Sequence, residues 1–229
     1  MGKVLFVLTS NDRLGDSGEA TGYHLFEAAA PWLALREAGF EVDFASPRGG
    51  KAPIDPGSMK EDNAINRRFL EEAKSGIEHT MKIDEVDASN YDAVYFPGGH
   101  GTMWDLPGNR DVQRVINEVY ARRGVIAAIC HGPAAFVDLR LPNGEAFVKD
   151  RRLSVFTDAE EMIVGKDKVV PFLLASKLRE QGARHELADA FGESVSVDGR
   201  LVTGQNPASA ERLGQRLVEA LRQRQNKAA

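Results

Sequence analysis

The chain reads as an α/β protein built on a doubly wound, mostly parallel sheet with helices on both faces. Two observations predict this. Apolar runs at Val4 to Leu8, Val42 to Ala45, Ala93 to Phe96 and Val125 to Ile129 are separated by stretches long enough for a helix, the pattern of repeated βαβ units. Each run also gives way to a polar or glycine-rich turn: Thr9-Ser10-Asn11-Asp12, Ser46-Pro47-Arg48-Gly49-Gly50, Pro97-Gly98-Gly99-His100-Gly101 and Cys130-His131-Gly132. Ligands of open parallel sheets bind beyond the carboxyl ends of the strands, so these loops are expected to share one rim.

Val4 to Leu8 and Val125 to Ile129 are continuously apolar, as suits parallel strands buried on both faces. Ala20 to Ala38 is apolar almost all round, through Leu25, Phe26, Ala28, Ala29, Trp32, Leu33 and Leu35, and predicts a buried helix with Pro31 as a kink or break. Pro56 to Met81 is mixed, with a helix near Ala64 to Lys74, and Asn109 is placed to cap a helix reaching about Arg122. Gly132-Pro133 ends the fourth apolar run, and Pro133 suits the first turn of a helix because its missing N–H has no intrahelical partner there.

Beyond it, Leu141 to Gly144 predicts a turn, Leu153 to Phe156 a strand, and Val169 to Gln181 a helix. Ser194 to Thr203 predicts a hairpin through Asp198-Gly199. Asn206-Pro207 opens a last helix with Leu213, Leu217 and Leu221 on one face, and Gln223 to Ala229 is expected to fray.

With 229 residues, 42% of them hydrophobic, the chain suffices for one substantial core and a single domain. A net charge of -5, with basic residues interspersed among acidic ones, argues against a nucleic-acid partner. A single cysteine excludes an internal disulfide, and the first apolar run is too short for a signal sequence or a membrane span. A soluble cytoplasmic protein is expected.

That cysteine, Cys130, stands where an apolar strand meets a helix start. A sharp strand-to-helix turn lifts a nucleophile above the sheet and needs small residues two positions before and after it, here Ala128 and Gly132. A helix N-terminus below the sulfur would lower the thiol pKa, and the His131 N–H would be an oxyanion donor. The bland alternative is a buried, inert cysteine. Glu27 lies on the most apolar helix, where a carboxyl is either surface-facing or buried with a raised pKa, fit for acid/base work. His131 needs an orienting acid, and Thr157-Asp158-Ala159-Glu160-Glu161 follows a strand that could lie beside the nucleophile strand. The residues themselves do not choose among Asp158, Glu160 and Glu161.

Gly98 and Gly99 allow backbone N–H groups to approach a substrate oxygen, with His100 and Trp104 on the same rim. His24, His79 and His185 read as surface or structural. The sequence has no dinucleotide fingerprint, no P-loop and no helical zinc-binding His pair, so no cofactor and no metal are expected.

Further motifs run almost the length of the chain: Thr21-Gly22 through Glu27 to Pro31, Ala45-Ser46-Pro47 with Gly49-Gly50 and Pro53-Ile54-Asp55, Gly99-His100-Gly101-Thr102, Ala128 to Ala134, Phe156-Thr157 with Glu160-Glu161, and Leu201 to Ala210. In them the chain resembles the PfpI-like superfamily, which includes the Parkinsonism-associated deglycase, and within it the heat-shock, glutathione-independent glyoxalase III branch. The resemblance implies a flavodoxin-like fold and one class I glutamine amidotransferase-like domain over residues 1–229. It implies Cys130 as nucleophile, His131 as its partner, Glu27 as acid/base and Glu160 as the acid orienting His131. The late His-x-Glu pair of amidotransferases is absent from this sequence. The implied activity converts methylglyoxal or a similar small 2-oxoaldehyde to the 2-hydroxy acid, without cofactor, in a homodimer. A deglycase or hydrolase acting on glycated substrates, or a stress-induced holdase or oxidation sensor, are the alternatives the superfamily offers.

Overall fold

The computed structural model describes residues 2–60 and 62–228. Strands β1 (Lys3–Val7), β2 (Glu41–Ser46), β3 (Met81–Lys82), β4 (Ala93–Phe96) and β5 (Val125–Ile129) form a parallel array with β9 (Leu201–Gly204), edged by antiparallel β8 (Val195–Asp198). The order across the sheet is β3-β2-β1-β4-β5-β9-β8, the flavodoxin-like arrangement in which a first strand lies inside and the chain winds outward in both directions. β6 (Arg152–Leu153) and β7 (Arg184–His185) form a separate two-stranded parallel ladder, β6 bonding to β8 through Arg152 to Asp198 and Val197. The helices are α1 (Leu25–Glu37), α2 (Ala64–Glu72), α3 (Lys74–Glu78), α4 (Thr102–Asp105), α5 (Arg110–Ala121), α6 (Asp158–Ile163), α7 (Leu174–Glu180) and α8 (Ala210–Ala228).

Strand alternation divides the apolar side chains between two cores. Leu5, Val94, Ile126 and Ala128 point to the face covered by Val112, Val115, Ile116 and Val119 of α5 and Leu174 and Leu178 of α7. Val4, Phe6, Tyr95 and Ala127 point to the face covered by α1 and α8, where Leu213, Leu217 and Leu221 are completely buried. Each such leucine contributes roughly 1.5–3 kcal/mol of burial energy, so a helix stripe of this kind docks firmly.

Several boundaries differ from those the sequence predicts. The first helix begins at Leu25, because Tyr23 instead pairs with the chain beyond β2, its N–H donating to Pro53 O at 2.9 Å and its carbonyl accepting from Asp55 N–H at 2.9 Å. Pro31 neither breaks nor ends α1. The segment Leu153 to Phe156 is a strand only at its first residue; its Ser154 N–H is taken by the Thr203 hydroxyl (2.9 Å) rather than by a ladder. Helix α7 starts at Leu174 rather than Val169. Of the tail expected at Gln223 to Ala229, Ala229 lies outside the described residues, and the rest through Ala228 continues α8, tied down by Arg224 to Asp92 and to Arg123 O. No helix among the described residues is long and apolar enough to cross a membrane.

Candidate active site

Cys130 follows β5 directly and has φ of 58°, a left-handed conformation that costs a non-glycine residue of order 1–3 kcal/mol. Neighbouring strands hold it there: its N–H donates to Gly204 O (2.9 Å) and its carbonyl accepts from Phe156 N–H (3.0 Å). Gly132 fits because a Cβ at that position would lie 2.1 Å from Phe96 O. The strained turn and its small residues are those the sequence predicts, but the helix below it is not. Gly132–Phe136 is a five-residue 3-10 turn, too short for a strong dipole. The expected low thiol pKa is therefore corrected: burial and the adjacent Glu27 carboxyl push the Cys130 thiol up.

The strained backbone brings Cys130 Sγ within 3.2 Å of His131 Nδ1. On its other side, His131 Nε2 lies 2.7 Å from Glu161 Oε2. The carboxylate that bonds His131 is thus Glu161; Glu160, the residue implied by the resemblance, makes no bond to it among the described residues. Glu160 points the other way and closes a capping box on α6, Oε2 accepting from the Thr157 N–H and hydroxyl, both at 2.8 Å. Its Oε1 accepts from Phe191 N–H (2.8 Å), Asn206 Nδ2 (2.8 Å) and Gln205 Nε2 (3.2 Å). Glu160 is the hub that pins the loop before β8 and the turn after β9 to α6.

Glu161 serves two imidazoles. Its Oε1 lies 2.7 Å from His100 Nε2, and the His100 and His131 rings lie with centroids 4.2 Å apart, their planes tilted by 41°. Burial acts to raise the Glu161 pKa, but the two imidazole hydrogen bonds overcome it and bring the carboxyl down to about 2. Burial, together with the neighbouring His131, lowers His100 to about 4, so at neutral pH it is an uncharged ring donating Nε2–H to the carboxylate. With Glu161 ionised, His131 likewise donates from Nε2, which leaves Nδ1 as the acceptor facing the thiol.

Glu27 is completely buried. Its Oε2 accepts the Gly98 N–H at 2.9 Å, its Oε1 has no N–H or O–H partner among the described residues, and the Cys130 thiol lies beside the carboxyl. Burial pushes its pKa from 4.5 to about 8. Gly98 seals this junction: a Cβ there would lie 2.6 Å from Glu27 Oε2 and 2.7 Å from Cys130 Cβ. The Gly99 N–H points at the Cys130 sulfur and acts to lower the thiol pKa. Gly99 has φ of 100°, and a Cβ there would lie 2.4 Å from Gly22 O, so glycine is required on both counts.

These groups open into a cavity of about 260 Å³ lined by Cys130, His131, His100, Gly99, Phe156 and Phe191, with Asp55, Ser58 and Lys166. His24, read from the sequence as surface or structural, also lines it; burial lowers its pKa to about 4. Trp104 packs against the core instead, and His79 and His185 lie away from the cavity. His100, His131 and Glu161 have ligand atoms all within 4.8 Å of one another, a donor set that suits a divalent transition metal, although both Glu161 oxygens already hold imidazole hydrogen bonds.

Residues 19–220 match the DJ-1/PfpI family. The chain belongs to that family. Among DJ-1/PfpI proteins it is 36% identical to the glutathione-independent glyoxalase HSP31 of Saccharomyces cerevisiae, over 96% of this chain and 98% of the relative. The solved structure of glyoxalase III from Candida albicans matches with a TM-score of 0.88 at 31% identity, covering 96% of this chain and 97% of that one. The Rapid Encystment Protein of Francisella tularensis matches with a TM-score of 0.93 at 37% identity, covering 96% and 99%.

One contact in this DJ-1/PfpI chain explains how Glu27 is held, and sequence reasoning missed it. Pro31 has no N–H to bond the carbonyl of Glu27 four residues earlier, so that carbonyl is free inside α1. The buried Tyr95 hydroxyl donates to it at 2.6 Å. The proline that reads as a break is instead the reason α1 can be fastened to β4 at Glu27. Gln205 and Asn206, quoted only as part of a motif, are the partners that hold Glu160.

Proposed function

We propose that the protein is a glutathione-independent glyoxalase converting methylglyoxal, or a similar small 2-oxoaldehyde, to the 2-hydroxy acid with Cys130 as nucleophile. The observation that carries this reading is a sulfur set between an imidazole acceptor at 3.2 Å and a buried carboxyl of raised pKa, at the floor of a small cavity. The names of the yeast and Candida relatives support it.

In the first step the thiol gives its proton to His131 Nδ1 as sulfur attacks the aldehyde carbon, and Glu161 stabilises the imidazolium. The thiol is uncharged at rest because it is buried, so general-base assistance replaces a preformed thiolate. The backbone N–H groups of Gly99 and His131 hold the developing oxyanion, and Glu27, protonated at rest, gives it a proton, so a hemithioacetal forms beside a Glu27 carboxylate and a His131 imidazolium. The Glu27 carboxylate then takes the C–H proton while His131 protonates the keto oxygen, giving an enediol; Glu27 returns its proton to the former keto carbon as the first hydroxyl gives its proton back to His131 Nδ1. A carboxyl with a pKa of about 8 is a stronger base than an ordinary carboxylate and still returns the proton. The result is a thioester of the 2-hydroxy acid on Cys130, and water releases lactate and the thiol. The reaction is redox-neutral and consumes one water.

A cytoplasmic homodimer is part of the same proposal. The test follows D-lactate formation from methylglyoxal without glutathione, comparing wild type with Cys130→Ser and Glu27→Gln after circular dichroism has established folding. Loss of turnover in both variants is expected. Amine release from glycated peptide at a rate exceeding capture of free 2-oxoaldehyde would favour a deglycase, and aggregation suppression independent of Cys130 a holdase.

A further inference from the structure

The reaction needs a base twice, and the two needs fall on different atoms. His131 Nδ1 faces the sulfur at 3.2 Å, so during thioester hydrolysis it is placed to protonate the departing thiolate. A water attacking the thioester carbonyl must lose its own proton to something else. Glu27, bonded to Gly98 through Oε2 beside the thiol, serves the proton transfer between the two substrate carbons, and Glu161 has both oxygens occupied.

His100 has what remains. It lines the same cavity as Cys130 and His131, with its side chain 13% exposed. Its Nε2 is committed to Glu161, whereas its Nδ1 has no hydrogen-bond partner among the described residues. A neutral imidazole that donates from Nε2 presents a lone pair at Nδ1. Like His131, His100 is an imidazole held through Nε2 by the same carboxylate on a ring that lines the cavity, and its Nδ1 is left without a partner among the described residues.

We infer that His100 is a catalytic base of the second half-reaction, taking the proton of the water that attacks the Cys130 thioester, while Glu161 orients both imidazoles. This rests on the glyoxalase reading above. In the step, the water oxygen bonds to the thioester carbon, the C–S bond breaks, His100 Nδ1 receives the water proton and His131 Nδ1–H returns a proton to sulfur. Lactic acid and the free thiol form, and the proton on His100 passes to solvent at the cavity mouth.

His100→Gln separates this role from support of Glu161, because a glutamine amide can still donate to Glu161 but offers no basic nitrogen; His100→Ala with added imidazole is the second variant. Rapid mixing with methylglyoxal reads loss of the free thiol, lactate release, and any acyl adduct on Cys130 by intact mass. For His100→Gln, kcat is expected to fall about a hundredfold or more while thiol loss stays fast. KM should fall with kcat, leaving kcat/KM nearly unchanged, a lactoyl adduct should accumulate, and imidazole should restore lactate release in His100→Ala. Unchanged kcat in His100→Gln, or a fall in kcat/KM with no adduct, overturns the assignment while the glyoxalase reading stands. Wild type that forms no lactate overturns both.

Discussion

Replacing Glu27 by Gln should stabilise the protein while abolishing its proposed activity. The folded protein holds the Glu27 proton up to a pH of about 8, whereas the unfolded chain releases it near 4.5. Between these values the folded state binds more protons than the unfolded state, so stability falls as pH rises through the window. At pH 7 this corresponds to about 3 kcal/mol, and the group is fully buried, so solvent does not screen the effect. Gln keeps an oxygen for the Gly98 N–H, now at 2.9 Å, and nearly the same volume, so the packing at Gly98 is preserved. Urea unfolding of wild type and variant across the acid-to-neutral range is the assay. The two should be equally stable at the acid end, with the variant gaining progressively to about 3 kcal/mol at neutrality. A difference that does not change with pH, or a variant weaker throughout, would refute the argument that burial holds this carboxyl neutral.

Three further outcomes follow from the same geometry. Gly98→Ala forces a methyl group to within 2.6 Å of Glu27 Oε2, and should cost about 1–3 kcal/mol in chemical denaturation and eliminate turnover. Glu161→Gln should cut kcat by about a hundredfold or more with folding intact, whereas Glu160→Gln should lower Tm and leave most of the turnover of the folded protein; the reverse pattern would restore Glu160 as the orienting acid. Tyr95→Phe leaves the Glu27 carbonyl without a partner inside α1 and should destabilise by about 1–3 kcal/mol in urea, an effect absent if Pro31 is replaced by Ala in the same chain, because the restored N–H then satisfies that carbonyl.

Much of the site was legible because its determinants are local. The small residues around Cys130 and the Gly132-Pro133 break announce a strained turn, and Glu27 among alanines announces a buried carboxyl. The Glu160 misassignment had a local remedy: Thr157-x-x-Glu160 is a capping box, so its carboxylate was already committed to the start of α6, leaving Glu161 free to reach His131. Other features depend on chain segments distant in sequence. Nothing near Pro31 indicates that Tyr95 will satisfy the freed carbonyl, and nothing near His100 indicates that it will share a carboxylate with His131 across 61 residues. The thiol pKa was misread for an energetic reason: burial beside another acid outweighs the dipole of one short turn.

The most direct test of the account measures lactate formed per methylglyoxal consumed by reduced wild-type protein dialysed free of glutathione. Catalytic turnover with one lactate for each methylglyoxal lost is the predicted result. Methylglyoxal loss without lactate would mean that lysine and arginine side chains are merely being glycated, and would contradict Cys130 as the nucleophile of a glyoxalase.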